Sequence, residues 1–326
     1  MENQIKTPED LPWLASLKKD PIPVLLQAAP LPIRYQVLRD LLGDQDSDDF
    51  EALQKNLRKH KPRRKKLAEQ QADGLWPMGN PIKGLDPKQI QTLQFITQLE
   101  SLHELLELIV TNKTEKVVLG MREVIRFLAE KELPLRFHHV TQAIYLAIEF
   151  KLESNPVIKQ LVRGVFNDQN SDGGWSSLVD EQESCIWSSL FFLWTMGHSQ
   201  IFRKNRSLQK GLRYVSSNLL LQDQSQLLPG MQVWDTLITG TSGLSLLTGG
   251  SLRYLETVQL LDGDKRDRKA EKLVDWLVGI QLRDGLWPSI VGRDKHGDFG
   301  VTLRVLKVLK HFQSLRINET RDYEEF

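Results

Sequence analysis

The chain is poor in cysteine, poor in strand signals and almost without net charge, and each shortage excludes something. Its single cysteine, Cys185, cannot close a disulfide within the chain, so a secreted disulfide scaffold is excluded and a reducing cytoplasm is the expected location. Lys plus Arg (43) balance Asp plus Glu (42), leaving no global field to steer nucleic acid, and no nucleic-acid partner is expected. No apolar run approaches the roughly 20 residues that span a bilayer. The greasiest stretch, Ile186–Met196, is broken by Ser188 and Ser189. Met1 to Lys6 lacks the basic start and apolar run of a signal peptide. These absences describe a soluble protein without a transmembrane segment, with peripheral membrane contact left open. Sustained apolar/polar alternation and Asn-Gly hairpin turns are also missing, which removes the β classes.

What is present is helical rhythm. The 326 residues, 40% hydrophobic and 26% charged, can bury a substantial core. Val117, Met121, Val124 and Leu128 recur at i, i+4, i+7, i+11, as do Val301, Val305, Val308 and Phe312; Leu208, Leu212, Val215 and Leu219 make a third stripe. Asp86-Pro87 and Asn155-Pro156 place a capping side chain before a proline at the first helical position. Gly and Pro fall mostly between periodic segments, as at residues 77–81, Pro229-Gly230 and Gly249-Gly250. Helices are predicted in pairs: 52–70 with 87–108, 115–131 with 137–150, 156–168 with 183–197, 206–221 with 232–247, and 267–282 with 298–313, with Leu31–Leu42 as a further helix. The second helix of a pair is often the more apolar, which suits a double layer of helices.

Three of the links share one pattern: Gln70-Gln71-Ala72-Asp73-Gly74-Leu75-Trp76, Gln169-Asn170-Ser171-Asp172-Gly173-Gly174-Trp175 and Gln281-Leu282-Arg283-Asp284-Gly285-Leu286-Trp287. Glutamine on the last turn, an Asp-Gly turn needing positive φ, and a tryptophan folded back as a packing anchor make a helix stop. The pattern, over about Leu67 to Phe312, resembles the Gln–Trp repeats of the terpenoid cyclase and protein prenyltransferase superfamily, including small squalene-cyclase-like proteins. That resemblance implies an all-α fold, an (α/α)5–6 toroid of inner and outer helices in a single domain over residues 1–326, with 1–50 an N-terminal extension that completes the ring. It also implies that the repeat tryptophans stabilise the ring.

The superfamily's chemistry carries over less completely. Asp46-Ser47-Asp48-Asp49 matches the cyclases' acid motif, yet the flanking Gly43-Asp44-Gln45 and Phe50-Glu51 read as a polar loop entering a helix. Glu183-Ser184-Cys185 resembles one half of the prenyltransferase zinc site, but Val301 in Asp298-Phe299-Gly300-Val301-Thr302 stands where a ligating histidine is required. No metal and no cofactor are expected, and Cys185 reads as a buried apolar residue. If the ends of the inner helices meet at one mouth, their polar and aromatic residues converge there. Asp235, His138, His139 and Glu183 are then the catalytic candidates, and Asp86, Gln89, Trp187, Trp234, Asp298 and Phe299 the pocket-lining ones. The expected ligand is an apolar or isoprenoid-type small molecule with the reaction unassigned. A non-catalytic scaffold and a carbohydrate-active toroid stand as alternatives. One basic run remains, Lys55, Arg58, Lys59, His60, Lys61, Arg63, Arg64, Lys65 and Lys66, which reads as a solvated helical surface or a site for phosphate, RNA or anionic lipid.

Overall fold

The computed structural model describes residues 11–79, 84–130, 135–177, 183–219, 234–261 and 267–324, with side chains as far as 315. Among the described residues the fold is all-α: there is no strand, and the only extended pairings are the isolated bridges Thr236–Ile290 and Trp287–Asp298. The chain gathers into two units, one formed by Met1–Arg58, Leu228–Ile238 and Gly249–Phe326, the other by Lys59–Leu227 and Thr239–Thr248. No helix among the described residues is long and apolar enough to cross a membrane.

In chain order the helices are α1 (Ile22–Ala28), α2 (Leu31–Gln36, running into a π-helical turn at Val37–Leu42), α3 (Asp48–Lys59), α4 (Lys61–Glu69), α5 (Pro87–Glu107), α6 (Glu115–Ala129), α7 (Phe137–Glu149), α8 (Pro156–Asn167), α9 (Ile186–Gly197), α10 (Arg206–Ser217), α11 (Gly250–Leu260), α12 (Arg268–Gly279) and α13 (Phe299–Glu324). Most predicted helices lie within a few residues of these, and two expectations need correction. The helix predicted over 52–70 is two helices, because Pro62 lacks the amide that would continue α3 and suits the first turn of α4. The helix predicted over 232–247 is absent from 234 onward. That stretch runs as irregular chain, with Thr236 bridged to Ile290, then a 3-10 turn at Gly243–Leu247, and the helix begins only at Gly250. Residues 220–233, which hold Pro229-Gly230, lie outside the described residues.

In the second unit α5, α7 and α9 pack side by side, and α4, α6, α8 and α10 pack against them. The division follows polarity. α6, α8 and α10 carry one apolar stripe each, burying for example Val117, Met121 and Val124, or Leu208, Leu212 and Val215. α9 buries every residue but Trp194, so it needs neighbours all round. In the first unit α13 packs against α11, α12, α2 and the turns at Pro12–Leu14 and Val37–Leu42. Lys307 reaches the Asp40 carboxylate at 2.6 Å and Lys310 the carbonyls of Asp40 and Leu41 at 2.8 and 2.9 Å, which holds α13 to the early chain.

The three Gln–Trp links adopt one geometry. Each indole N–H donates to the carbonyl ten residues earlier, in the closing turn of the preceding helix: Trp76 to Lys66 at 2.9 Å, Trp175 to Val165 and Trp287 to Leu277 at 2.7 Å. Those carbonyls have no partner within their helices. Each tryptophan's own amide donates to a side chain of the following helix, Gln98 of α5, Ser189 of α9 or Thr302 of α13. The glutamine sits just past the helix rather than on its last turn. It donates to its motif glycine's carbonyl at 2.8 Å and also to the next element: Gln70 to Lys116 of α6, Gln169 to Ser207 of α10, and Gln281 to Lys19 near the described start of the chain. The rings themselves are buried, at 1%, 0% and 0% exposure, so they serve as packing anchors. Two of them lie on glycines of α6 and α10: a Cβ on Gly120 or Gly211 would stand 2.5 Å from the ring of Trp76 or Trp175.

Two stability measurements test this joint. Trp175→Ala should cost about 3–5 kcal/mol in urea unfolding, the scale for removing a buried aromatic. The motif glycines all have positive φ, but an added Cβ would meet the Lys210 carbonyl oxygen at 2.8 Å from Gly173, Leu119 at 3.3 Å from Gly74, and only the flexible Lys19 side chain at 3.4 Å from Gly285. Gly→Ala should therefore destabilise in the order Gly173, Gly74, Gly285, with about 1 kcal/mol from φ strain at the last. A reversed order would show that the close approach of the neighbouring segment does not set the cost.

Candidate functional site

The second Gln–Trp link departs from the other two at one position. Leu75 and Leu286 precede the first and third tryptophans, whereas Gly174 precedes Trp175. A Cβ at Gly174 would fall 2.5 Å from the Ser184 side chain and 2.8 Å from the Tyr214 ring. The missing side chain makes room for both groups, and beside them opens a cleft of about 630 Å³ lined by Asp172, Glu183, Ser184, Arg213, Tyr214, Ser217 and Asn218. All belong to the second unit.

The floor of this cleft is tightly wired. Asp172 accepts from the Gly174 amide at 2.9 Å and the Ser184 hydroxyl at 2.7 Å, while Asn170 donates to the same hydroxyl at 3.0 Å. Tyr214 donates its hydroxyl to the Ser184 carbonyl at 2.9 Å. Burial, assisted by Asp172 and Cys185, pushes the Tyr214 phenol up to about 12, so it stays protonated and a donor. The rim is different. Glu183 and Arg213 are exposed, and among the described residues neither has an ion-pair partner. The cleft thus offers a free carboxylate and a free guanidinium above a fixed bed of hydroxyls and amides.

Of the residues expected to form a site, Glu183 alone lines this cleft. Asp86 and Gln89 exchange side-chain-to-backbone hydrogen bonds of 2.9 and 3.0 Å in a capping box that starts α5. Trp187 is buried within α9. His138 and His139 begin α7 with ring centroids 4.1 Å apart, and both are buried. In the other unit, Asp235 does not start a helix: its carbonyl accepts from Val291, in the irregular chain that replaces the predicted one. Trp234 is buried, with its carbonyl accepting from Ser251. Asp298 caps α13 through a 2.8 Å bond from Val301, and Phe299 follows as its first residue.

Two related expectations resolve locally. Ser47 accepts from the Phe50 amide at 3.1 Å and starts α3, with Asp48, Asp49 and Glu51 in the first turn, so the Asp46–Asp49 motif is a helix N-terminus. Cys185 is half-buried rather than buried, and its amide donates to Trp175 at 2.8 Å. Among the described residues no three His, Cys, Asp or Glu side chains are grouped to hold a metal ion.

A second polar group was not foreseen. Helices α5 and α7 and the end of α9, with His198 just past it, bring together His103, Gln142, Tyr145, Glu149, Trp194 and His198. Tyr145 lies 4.7 Å from Trp194 and 5.4 Å from His198 between centroids, and His198 Nδ1 is 2.9 Å from Glu149. Gln142 contacts His103 at 3.3 Å and donates to the Thr241 carbonyl at 2.9 Å. The signal available in the sequence was the polar interruption of otherwise apolar helices, at Gln142, Glu149 and His198.

No protein-family model matches the chain, and no curated protein matches it in sequence. Among solved structures it is similar to a polysaccharide lyase, at 10% identity and TM-score 0.45 over 88% of this chain and 90% of that one. It is also similar to the type II terpene cyclase MstE from Scytonema in its apo form, at 9% identity and TM-score 0.28 over 80% and 99%. Likenesses this loose assign neither activity nor substrate.

The histidine pair gives a pH prediction. Burial, then His138 and Arg136, lowers His139 to about 4 from an ordinary 6.5; burial and Arg136 lower His138 as well. The unfolded chain binds these protons first, so this contribution is complete above about 6.5 and is lost as pH falls towards 4. Allowing for partial solvent screening, the loss should be about 1–2 kcal/mol. Urea unfolding of the wild type and His139→Phe at neutral and mildly acid pH measures it. An equal acid loss in both would place its origin in another group.

Proposed function

We propose that this α/α-toroid-type protein binds a polar, hydroxyl-rich small molecule of the sugar class in the cleft between Asp172 and Arg213. The observation that carries this reading is the Gly174 substitution within an otherwise repeated joint, because it exchanges an apolar side chain for access to Ser184 and Tyr214. Hydroxylated ligands need donors and acceptors in fixed positions, and the Asn170–Ser184–Asp172 chain supplies them. Glu183 and Arg213 at the rim then accept from hydroxyls and pair with an acidic substituent. The isoprenoid ligand expected from the sequence calls for apolar walls, and this lining is predominantly polar.

A second reading keeps the apolar ligand and seats it against the half-buried Trp194 and its neighbour Tyr145, whose rings offer an aromatic face beside the His198–Glu149 pair. In both readings the tryptophan joints are scaffold.

Saturation-transfer NMR against neutral sugars, uronic acids and farnesol separates the two. The sugar reading expects contact with sugars or uronates, weakened about 10-fold or more by Glu183→Gln or Arg213→Gln, the scale of one charged hydrogen bond. Both positions are exposed, so melting temperatures should be unchanged. Farnesol binding that is lost in Trp194→Ala and indifferent to Glu183→Gln would replace the sugar reading with the apolar one.

A further inference from the structure

The basic run contains a second cleft, apart from the site above. Lys59, Lys61, Arg64 and Lys65 line a concavity of about 520 Å³ at the start of α4. All four are exposed, and among the described residues none has a carboxylate within ion-pair distance. Their neighbour Lys66 is different, with Glu104 at 2.9 Å and Glu69 at 3.7 Å. The fold therefore neutralises a cation of this helix where the cation belongs to its packing, and leaves these four bare.

Their position opposes the helix. The N-terminal end of an α-helix carries a partial positive charge and unsatisfied amides, and acids are favoured there. α4 begins Lys61-Pro62-Arg63-Arg64-Lys65, has no acid in its first turn, and receives no side-chain cap from His60. α3, immediately before it, begins with Asp48, Asp49 and Glu51 behind a Ser47 cap. No residue of α4 is buried, so packing does not dictate this composition. Lys61, Arg64 and Lys65 lie towards the positive end of α4, and Lys59, at the end of α3, adds a fourth like charge around the same hollow. Their mutual repulsion is destabilising by itself, and an anion in the hollow relieves all of them together.

We propose that this cleft binds a small molecule bearing two or more adjacent phosphate groups. One phosphate leaves most of the cations unpaired, whereas a diphosphate or triphosphate spans several. Concavity favours a compact ligand over a flat bilayer. The four cleft residues include no aromatic on which a nucleobase could stack, as single-stranded RNA recognition requires.

Calorimetric titration of inorganic pyrophosphate and tripolyphosphate into the full chain tests this. Binding should be present, stronger for tripolyphosphate, and about 10-fold or more weaker in Lys61→Gln/Arg64→Gln. That double variant, relieved of its misplaced charges, should melt at or above the wild-type temperature, which separates loss of the site from loss of the fold. Arg163→Gln/Lys204→Gln removes two exposed cations elsewhere and should leave binding unchanged. An absence of pyrophosphate and tripolyphosphate binding, or an equal loss in both double variants, overturns the proposal. So does tighter binding of phosphatidylglycerol vesicles or poly-uridylate than of tripolyphosphate, because the partner would then be a membrane or an RNA.

Discussion

Each repeated joint depends on one hydrogen bond, the indole N–H of its tryptophan to a carbonyl in the last turn of the helix it follows. A helix ends with carbonyls that its own backbone cannot satisfy, and leaving one buried and unpaired costs a kilocalorie or more. Here Lys66, Val165 and Leu277 receive their donor from a residue that must first fold back to reach them. That return requires the tight turn at Gly74, Gly173 or Gly285, and it carries the tryptophan's amide to the next helix. Termination, reversal and docking are thus one event. The glutamine extends it to a third element, so each joint ties together the helix behind, the helix beside and the segment ahead.

The same economy accounts for the candidate cleft. A joint that depends on the turn glycine and the tryptophan places little demand on the residue between them. Leu75 and Leu286 fill that position, and Gly174 vacates it. Asp172 keeps its structural duty towards the Gly174 amide and still accepts from Ser184, so a stop signal doubles as one wall of a polar recess. The elements that hold the recess are rigid for reasons unrelated to ligand, which is the condition for a pre-formed site.

The helices and their joints were legible in the sequence because period and punctuation are local. Helices α6 to α9 lie within three residues of the predicted bounds. The failures have local causes too. Residues 234–249 carry Trp234, Leu237, Leu246 and Leu247, apolar enough to suggest a helix, but the backbone of Thr236 and Leu237 is taken up by Ile290 and Ser289. That is a tertiary partner no window could show. The roles of Gly120 and Gly211 were hidden for the same reason: a glycine inside a helix reads as a defect until the tryptophan that lies on it is known. The site was less legible than the fold. Glu183 is a candidate in the sequence because it stands at the start of a predicted inner helix, whereas in the structure it precedes α9 beside the space left by Gly174. Arg213 and Tyr214 had no signal beyond their position on an amphipathic helix.

Both clefts lie where a local rule met elsewhere in the chain is not met. Along α3, α5, α8 and α12 the first residues obey capping and dipole rules: Ser47, Asp86, Asn155 and Asp267 each accept a backbone amide. Such agreement is what folding alone selects. The chain departs from it where α4 opens on bare cations, and where a repeated joint loses its leucine. Neither departure strengthens the fold. The first places like charges against a dipole, and the second gives up buried apolar area that its counterpart Leu286 retains at 5% exposure. Side-chain caps and first-turn acids are also missing at the starts of α2, α7, α9 and α11, so what sets α4 apart is its run of cations, as what sets the second joint apart is its missing leucine.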